Sequence, residues 1–230
     1  MTPPRGTRVR VRGKGRRAGS TRWLSRHLND PYARGAREEG YRARSAYKLL
    51  EIDRRFGLLE PGRVVLDLGC APGSWAQVAA ARGCRVVGLD LREVAPIPGA
   101  EMLQGDLLDP ATPARLRAAA GGAAAVVLSD MAAASTGQRA VDRLRAEALS
   151  EAVLGILPDL LAPGGSAVIK LVRGAESGVT AEAKRVFERV QLVRPEATHR
   201  GSSEIYLVAI GYRGVSQSAL NSIGTTEKPC

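Results

Sequence analysis

The sequence predicts an α/β fold in which helices cover both faces of a mostly parallel sheet. The first observation is the run VVLDLGCAPGSW at residues 64–75, which passes from an apolar strand through a glycine-bearing turn into a helix. The second is Asp90, which closes the next apolar run about twenty residues beyond Gly69. The third is the alternation of strand-like and helix-like segments along a chain of 230 residues, which is long enough for one such core.

Each element follows from local spacing and turn residues. Apolar residues recur at helical spacing over residues 42–56, and Gly57 ends that helix. Short apolar runs predict six strands, at residues 64–68, 85–89, 101–104, 124–129, 167–171 and 204–210. Longer segments between them predict four further helices, at residues 74–81, 113–119, 141–161 and 180–190. In a Rossmann-like sheet of this kind, a ligand binds beyond the carboxyl ends of the strands.

The first strand and its turn are typical of a site for a nucleoside cofactor. Asp67 lies near the carboxyl end of the strand, and Gly69 and Gly73 relieve the backbone at the turn. These features admit either NAD or S-adenosylmethionine. The second glycine of the dinucleotide fingerprint lets the backbone approach a pyrophosphate, and Ala71 followed by Pro72 stands in that place, which disfavours NAD.

Charge divides the chain into unequal parts. Residues 1–47 contain thirteen Lys and Arg against three acids, whereas residues 48–230 contain twenty-one against twenty, within a net charge of +11. We therefore predict a basic, flexible arm at residues 1–29, one catalytic domain at residues 30–213 and a polar, disordered tail at residues 214–230. A basic arm on a near-neutral domain favours a nucleic-acid partner, because neutralising phosphates releases counterions.

The arm region also contains aromatic residues among its arginines. Trp23, Tyr32, Tyr41 and Tyr47 would allow base stacking beside phosphate contacts, which favours RNA over the alternative of a merely solvated tail. An organellar transit peptide is a weaker alternative, because Gly and Pro interrupt any amphipathic helix there. No apolar run approaches the roughly twenty residues of a membrane span, and no signal peptide is recognisable. We expect no membrane partner and a cytoplasmic location.

Cysteine and histidine are sparse. Cys70, Cys84 and Cys230 are widely spaced, which argues against a disulfide framework. His27 and His199 are the only imidazoles, and they form no cluster with the cysteines. We therefore expect no metal site.

Polar residues recur at the strand ends that the fold brings to one edge. Asp130 follows the fourth predicted strand, Lys170 lies near the end of the fifth, Glu204 opens the sixth, and Lys48 projects from the preceding helix. Each alone is explained as a solvated boundary residue, but their joint placement around one crevice favours a site. Asp106, in QGD after the third strand, adds a carboxylate suited to hydroxyl and amine donors.

The order of these motifs resembles the FtsJ/RrmJ family of ribose 2′-O-methyltransferases that act on large-subunit ribosomal RNA. The resemblance runs over roughly residues 20–213, through STRWLSRHLNDPY, RARSAYKLLEI, DLGCAPGSW, GLD, QGD, SDMA, LAPGGSAVIK and SSEIYLVA. It implies a Rossmann-like fold that binds S-adenosylmethionine. It further implies a catalytic tetrad, Lys48, Asp130, Lys170 and Glu204, and cofactor contacts at Asp67, Gly69, Gly73, Trp75, Asp90, Asp106 and Asp130, with Asp90 on the ribose hydroxyls and Asp106 by the adenine.

The resemblance implies in-line attack of a ribose 2′-oxygen on the sulfonium methyl group, with Lys170 accepting or steering the proton. Burial and the charge of Lys48 favour a neutral lysine able to act as a base, whereas Asp130 and Glu204 favour an ammonium that orients the hydroxyl. Two departures from the family pattern concern Ser74, where a glycine is common, and SDMAAAS, which lacks the Pro and Asn that often follow SDMA.

The substrate that the resemblance implies is a uridine of the A-loop of 23S ribosomal RNA, presented on the large ribosomal subunit to a monomeric enzyme. Three alternatives stay open. One is another RNA, either a transfer RNA or another ribosomal site. The second is a non-catalytic RNA-binding factor of ribosome assembly, which fold alone would allow. The third is a small-molecule methyltransferase, which would leave the basic arm without a role.

Overall fold

A computed structural model describes residues 30–199 and 201–214. The predicted arm at residues 1–29 and the predicted tail beyond Gly214 lie outside the described residues. No helix within the described ranges is both long enough and apolar enough to cross a membrane.

The described chain alternates helices and strands. The helices are α1 (Pro31–Glu38), α2 (Ala46–Phe56), α3 (Ser74–Ala81), α4 (Thr112–Ala120), α5 (Arg139–Leu160) and α6 (Ser177–Val186). The strands are β1 (Val64–Leu68), β2 (Arg85–Asp90), β3 (Ala100–Gln104), β4 (Ala124–Ser129), β5 (Leu161–Val172), β6 (Phe187–Val193) and β7 (Glu204–Tyr212).

These strands form one sheet in the order β3-β2-β1-β4-β5-β7-β6. The pairs β1–β2, β1–β4, β2–β3 and β4–β5 are parallel, and β7 runs antiparallel to both β5 and β6. The predicted mostly parallel α/β sheet is therefore confirmed. The order reverses at β1, so the edge beyond β1 and β4 is the switch point where open α/β sheets bind ligands.

Alternate residues of the strands serve two cores, as the period of two requires. Val65 faces a cluster with helices α2 and α3, and Leu66 faces a cluster with α4, α5 and α6. Helices therefore cover both faces of the sheet, as predicted. This arrangement places α2 and α3 together on one face, beside the edge where β1 ends.

The prediction of a helix through residue 190 is wrong after Val186. Residues 187–193 form β6, a seventh strand, which pairs with β7 along a register from Phe187 opposite Tyr212 to Val193 opposite Tyr206. The reason is tertiary: FERVQLV suits helix or strand locally, and its ladder partner lies later in the chain. Two other differences are smaller. Helix α2 starts at Ala46 rather than residue 42, and β5 starts at Leu161 rather than residue 167.

Helix α1 was not predicted. Asp30 caps it, because its carboxylate accepts from the backbone N–H of Tyr32 at 3.0 Å, and Pro31 occupies the first helical position. The Asp-Pro pair was therefore the available signal. The side chain of Arg44 contacts Asp30 and the carbonyl of Ala197, which ties α1 to the chain that precedes α2.

Candidate active site

The turn between β1 and α3 requires glycine at two positions. Gly69 has φ +72°, and its N–H donates to the Leu89 carbonyl at 2.8 Å. A Cβ at Gly69 would overlap the Met131 side chain. Gly73 is the N-cap of α3 with φ +108°, and a Cβ there would lie 2.5 Å from Ile97 Cδ1. The turn therefore stays free of side chains where it meets the edge of the sheet.

Asp67 is a buried acid at the end of β1. It is 1 % exposed and accepts a hydrogen bond from the backbone of Ala76 at the start of α3, while its Oδ2 has no partner among the described residues. Burial, then the charge of Asp130, raises the pKa of Asp67 to about 8. Burial therefore favours the neutral acid at Asp67, and its Oδ2 is a buried acceptor without a partner among the described residues.

We expect Asp67 to make stability fall with rising pH. Its folded pKa, about 8, lies above the ordinary value of 3.8, so only the unfolded chain gains from ionisation between these values. The penalty grows by up to about 1.4 kcal/mol per pH unit in that window and levels off above it. Asp67→Asn should remove this slope. Denaturant unfolding at pH 5 and pH 8 measures it, and equal slopes in wild type and variant would contradict the assignment.

Two more predicted cofactor acids lie at the ends of β2 and β3. Asp90 Oδ2 accepts from the N–H of Ala71 at 2.9 Å, and its Oδ1 accepts from the N–H of Arg92 at 2.9 Å. Asp106 is exposed, and its Oδ1 accepts from the N–H of Leu108 at 2.9 Å. Arg92 Nε also donates to Asp90 Oδ1, at 3.3 Å, so Asp90 Oδ2 is the oxygen that can accept a further hydrogen bond. Asp90 therefore holds the turn at Ala71 and can still accept from a ligand.

The side chain of Trp75 lies inside the protein. It is 2 % exposed, packs against the Tyr206 ring with centroids 5.7 Å apart, and donates from Nε1 to the Ser45 carbonyl at 2.8 Å. Ser74, the first departure from the family pattern, is also buried, and its Oγ lies 2.6 Å from Ser45 Oγ. Both residues therefore tie the start of α3 to the chain entering α2, and Trp75 can reach a ligand only through its backbone.

The structure brings the four residues of the predicted tetrad together. Lys48 projects from α2, Asp130 follows β4, and Lys170 lies two residues before the end of β5. Glu204 begins β7 opposite Val172, and because β7 is antiparallel to β5, its first residue lies at the edge where β5 ends. Four elements from both halves of the sheet thus deliver one side chain each.

The side chains of the tetrad form ion pairs at distances between 2.9 and 3.9 Å. Lys48 Nζ lies 2.9 Å from Glu204 Oε2 and 3.9 Å from Asp130 Oδ1. Lys170 Nζ lies 3.1 Å from Asp130 Oδ1 and donates to the Asp130 carbonyl. Both lysine side chains are 9 % exposed. Asp130 therefore lies between two cations, and each cation keeps one edge toward the crevice.

Tyr206 belongs to this cluster and was missed from the sequence. Its hydroxyl donates to Asp130 Oδ1 at 2.6 Å and accepts from Lys48 Nζ at 2.9 Å. It is two residues beyond Glu204 on β7, so the period of two places both on one face. The spacing from Glu204 could have indicated Tyr206, but a tyrosine within an apolar strand is more often a residue of the hydrophobic core.

Electrostatics within the cluster follow from burial and pairing. Burial alone raises the pKa of Glu204, but the charge and hydrogen bond of Lys48 outweigh it, so the pKa falls below its ordinary value. Burial, then the charge of Asp130, raises the pKa of Tyr206 well above its ordinary value. Glu204 is therefore a carboxylate and Tyr206 a neutral donor at pH 7.

We expect Tyr206→Phe to lower methyl transfer about 10-fold, with the Michaelis constant for RNA changed less than 2-fold. The phenyl ring keeps the packing against Trp75, while the link between Lys48 and Asp130 is lost. Steady-state kinetics with labelled cofactor measures the split. Thermal unfolding of Tyr206→Phe should match wild type, which excludes damage to the core as the cause. A rise in the Michaelis constant alone would show that the hydroxyl serves RNA binding instead.

The loop after Asp130 is held by Asp142 of α5. The Asp142 carboxylate accepts from Ser135 Oγ at 2.7 Å and from the Thr136 N–H at 2.6 Å, and hydrogen bonds to it lower its pKa to about 2. The loop that departs from the family pattern, SDMAAAS, is therefore held at its C-terminal end by Asp142.

Among the described residues, no group of His, Cys, Asp and Glu is placed to hold a metal ion.

Comparisons with known proteins agree with this geometry. A family model described as FtsJ-like methyltransferase matches residues 41–212. A "Ribosomal RNA large subunit methyltransferase E" of Rhodospirillum rubrum is 46% identical over 93% of this chain and 86% of that protein, and one of Cereibacter sphaeroides is 49% identical over 90% of each. A crystal structure of a putative ribosomal RNA methyltransferase from Plasmodium falciparum superposes with a TM-score of 0.69 at 27% identity, over 76% of this chain and 100% of that one.

Proposed function

The chain belongs to the FtsJ-like methyltransferase family, and from that premise we propose that it methylates a ribose 2′-hydroxyl of large-subunit ribosomal RNA with S-adenosylmethionine. The observation that most directly supports this proposal is the cluster of Lys48, Asp130, Lys170 and Glu204 beside the glycine turn. The proposal extends to a uridine of the A-loop on the large subunit and to a monomeric, cytoplasmic enzyme.

The residues of the cofactor turn fit S-adenosylmethionine. Gly69 and Gly73 let the turn pack closely against Met131 and Ile97. Asp90 closes β2, and its Oδ2 accepts only one hydrogen bond, which leaves an acceptor position for a ribose hydroxyl. Asp106 is exposed one strand further on, where it can meet an adenine amine. Asp67 is included as a further cofactor contact because its Oδ2 is a buried acceptor that has no partner among the described residues. When bound, S-adenosylmethionine supplies a methyl group already activated by its sulfonium charge.

Lys170 is the residue proposed to touch the 2′-oxygen. Its ammonium has three donors, and two of them are directed at acceptors of Asp130. The third can hold the hydroxyl oxygen in line with the methyl group and stabilise the negative charge that grows on that oxygen. The hydroxyl proton passes to solvent water as the 2′-oxygen takes up the methyl group.

Lys48, Glu204 and Tyr206 are proposed to position Asp130 and Lys170. The Lys48 ammonium donates to Glu204 and Tyr206. The Tyr206 hydroxyl in turn donates to Asp130 and so fixes the position of that carboxylate. The cluster thus balances two cations with two carboxylates at the crevice. A balanced network can be buried at low cost while keeping each donor directed.

The experiment uses large ribosomal subunits from cells that lack this protein, incubated with the full chain and labelled cofactor. Alkaline hydrolysis should leave the labelled nucleotide in a resistant dinucleotide, because a methylated 2′-oxygen cannot attack the neighbouring phosphate. Label released as a mononucleotide would contradict ribose methylation. Subunits that bind the protein without incorporating label would instead support the non-catalytic assembly factor.

We expect removal of residues 1–29 to weaken RNA binding and flatten its salt dependence. The segment contains nine Lys and Arg and no acid, so each lost phosphate contact should lower the slope of log affinity against log salt by about 0.7–0.9. Cofactor binding should be unchanged. Filter binding to an A-loop hairpin between about 50 and 200 mM salt provides the measurement, and an unaltered slope would contradict an RNA-binding arm.

A further inference from the structure

A groove runs between α5 and α6, on the face of the sheet opposite α2. It has a volume of about 390 Å³. Its lining is apolar along the middle, with acids at the rim, and consists of Glu151, Leu154, Gly155, Leu157, Pro158, Gly178, Val179, Glu182, Val186 and Tyr212. Lys48 and the cofactor turn lie against the other core, so the groove is not part of the active site.

The helix surfaces that form the groove carry residues that internal packing does not require. A Cβ at Gly155 would meet no atom within 4 Å, and the backbone of Gly155 is not in the left-handed region. Alanine would therefore fit and would favour the helix. Pro158 lies inside α5 and cannot donate a backbone hydrogen bond to the Leu154 carbonyl. The groove thus presents bare backbone at Gly155 and an acceptor at Leu154.

The rim of the groove is acidic although the chain as a whole is basic. Glu147 and Glu151 are four residues apart on α5, and both carboxylates lie within 4 Å of where a Cβ of Gly178 would be. Like charges at this spacing oppose the helix. Neither carboxylate has an ion pair or hydrogen bond in residues 30–199 and 201–214, and Glu182 reaches only Arg185 on its own helix, at 3.3 Å. The groove therefore offers unpaired negative charge at Glu151, with Glu147 adjacent to its lining.

We propose that this groove binds a segment of a protein partner that carries lysine or arginine beside an apolar side chain. The acidic rim favours a lysine or arginine of the partner, because the charges are complementary. The apolar lining favours an apolar side chain of the partner, and Gly155 and Gly178 allow the partner's backbone to approach closely. RNA is disfavoured, because phosphates would meet Glu147 and Glu151. The proposed function supplies such a partner, since a large ribosomal subunit presents basic proteins, and on that point the inference rests on it.

The test measures co-sedimentation of the full chain with large subunits. Gly155→Trp places a large side chain in the groove from a position where a Cβ meets no atom within 4 Å, and Glu151→Lys reverses the charge at the rim. Glu101→Lys, on the exposed face of β3, makes the same change in net charge elsewhere and serves as the control. We expect the two groove variants to bind subunits at least 5-fold more weakly, while Glu101→Lys binds as tightly as wild type or more so. Thermal unfolding and cofactor binding should match wild type in all three.

Every outcome is informative. Unchanged subunit binding by both groove variants overturns the proposal. Weaker binding of the variants to protein-free 23S transcript shows that RNA occupies the groove, and self-association of wild type that Gly155→Trp abolishes shows that a second copy does; either result also overturns it. If wild type binds subunits through the groove but transfers no methyl group, the proposed function fails and the docking surface stands.

Discussion

Replacing Lys170 with alanine should lower methyl transfer by about 1000-fold without weakening cofactor binding. Lys170 Nζ is the proposed donor to the 2′-oxygen, and Lys48, the other cation of the tetrad, is engaged by Glu204 and Tyr206. Removal of the ammonium takes away transition-state stabilisation of about 4 kcal/mol. Asp130 keeps the Tyr206 hydroxyl at 2.6 Å, so the variant should fold.

Single-turnover kinetics with labelled cofactor and large subunits measures the effect on the chemical step. Lys184→Ala, which removes an exposed lysine from α6, is the matched control and should retain full activity. Calorimetry should give the same cofactor affinity for Lys170→Ala and wild type. If Lys170→Ala keeps more than a tenth of the wild-type rate, Lys170 is not the donor to the 2′-oxygen.

Gly69→Ala should weaken cofactor binding about 100-fold, the second large effect. The left-handed backbone at Gly69, φ +72°, costs an alanine about 1–2 kcal/mol. The new Cβ also overlaps the Met131 side chain, and Met131 Cα lies 3.2 Å away, so the backbone beside Asp130 must move. One methyl group therefore disturbs both the cofactor turn and the tetrad.

A matched glycine separates backbone strain from overlap. Gly57 ends α2 with φ +62°, and a Cβ there meets nothing within 4 Å. Gly57→Ala should lower the free energy of unfolding by about 1 kcal/mol and leave cofactor affinity unchanged. If calorimetry finds equal affinities for the Gly57 and Gly69 variants, the overlap with Met131 has no consequence and the prediction fails.

The fold was predictable because its dominant signals are local. The strand, glycine turn and helix around Gly69 predict a parallel sheet. The spacing from Gly69 to Asp90 predicts where the next strand ends. The β6 strand was not predictable in this way, since residues 187–193 become a strand only when β7, later in the chain, pairs with them. Local pattern reports periodicity, whereas this edge of the sheet depends on a long-range ladder.

The residues of the candidate site likewise include some that local sequence pattern could predict and some that it could not. Asp130, Lys170 and Glu204 could be placed together because polar residues at the ends of neighbouring strands must share an edge. Tyr206 could not, because its hydroxyl is distinguished from a core ring only by Lys48 and Asp130 around it. The inward position of the Trp75 side chain was equally hidden, since it depends on contacts with Ser45 and Tyr206.

The bonds from Ser74 and Trp75 to Ser45 have a thermodynamic consequence. They join the start of α3, which follows the proposed cofactor turn, to the residue that precedes α2 and Lys48, so we expect a shift at one of these elements to be passed to the other. Linkage then requires reciprocity: whatever factor the cofactor contributes to RNA affinity, RNA must return to cofactor affinity. The two substrates of this enzyme are therefore expected to bind cooperatively, with equal coupling free energy in either order of addition.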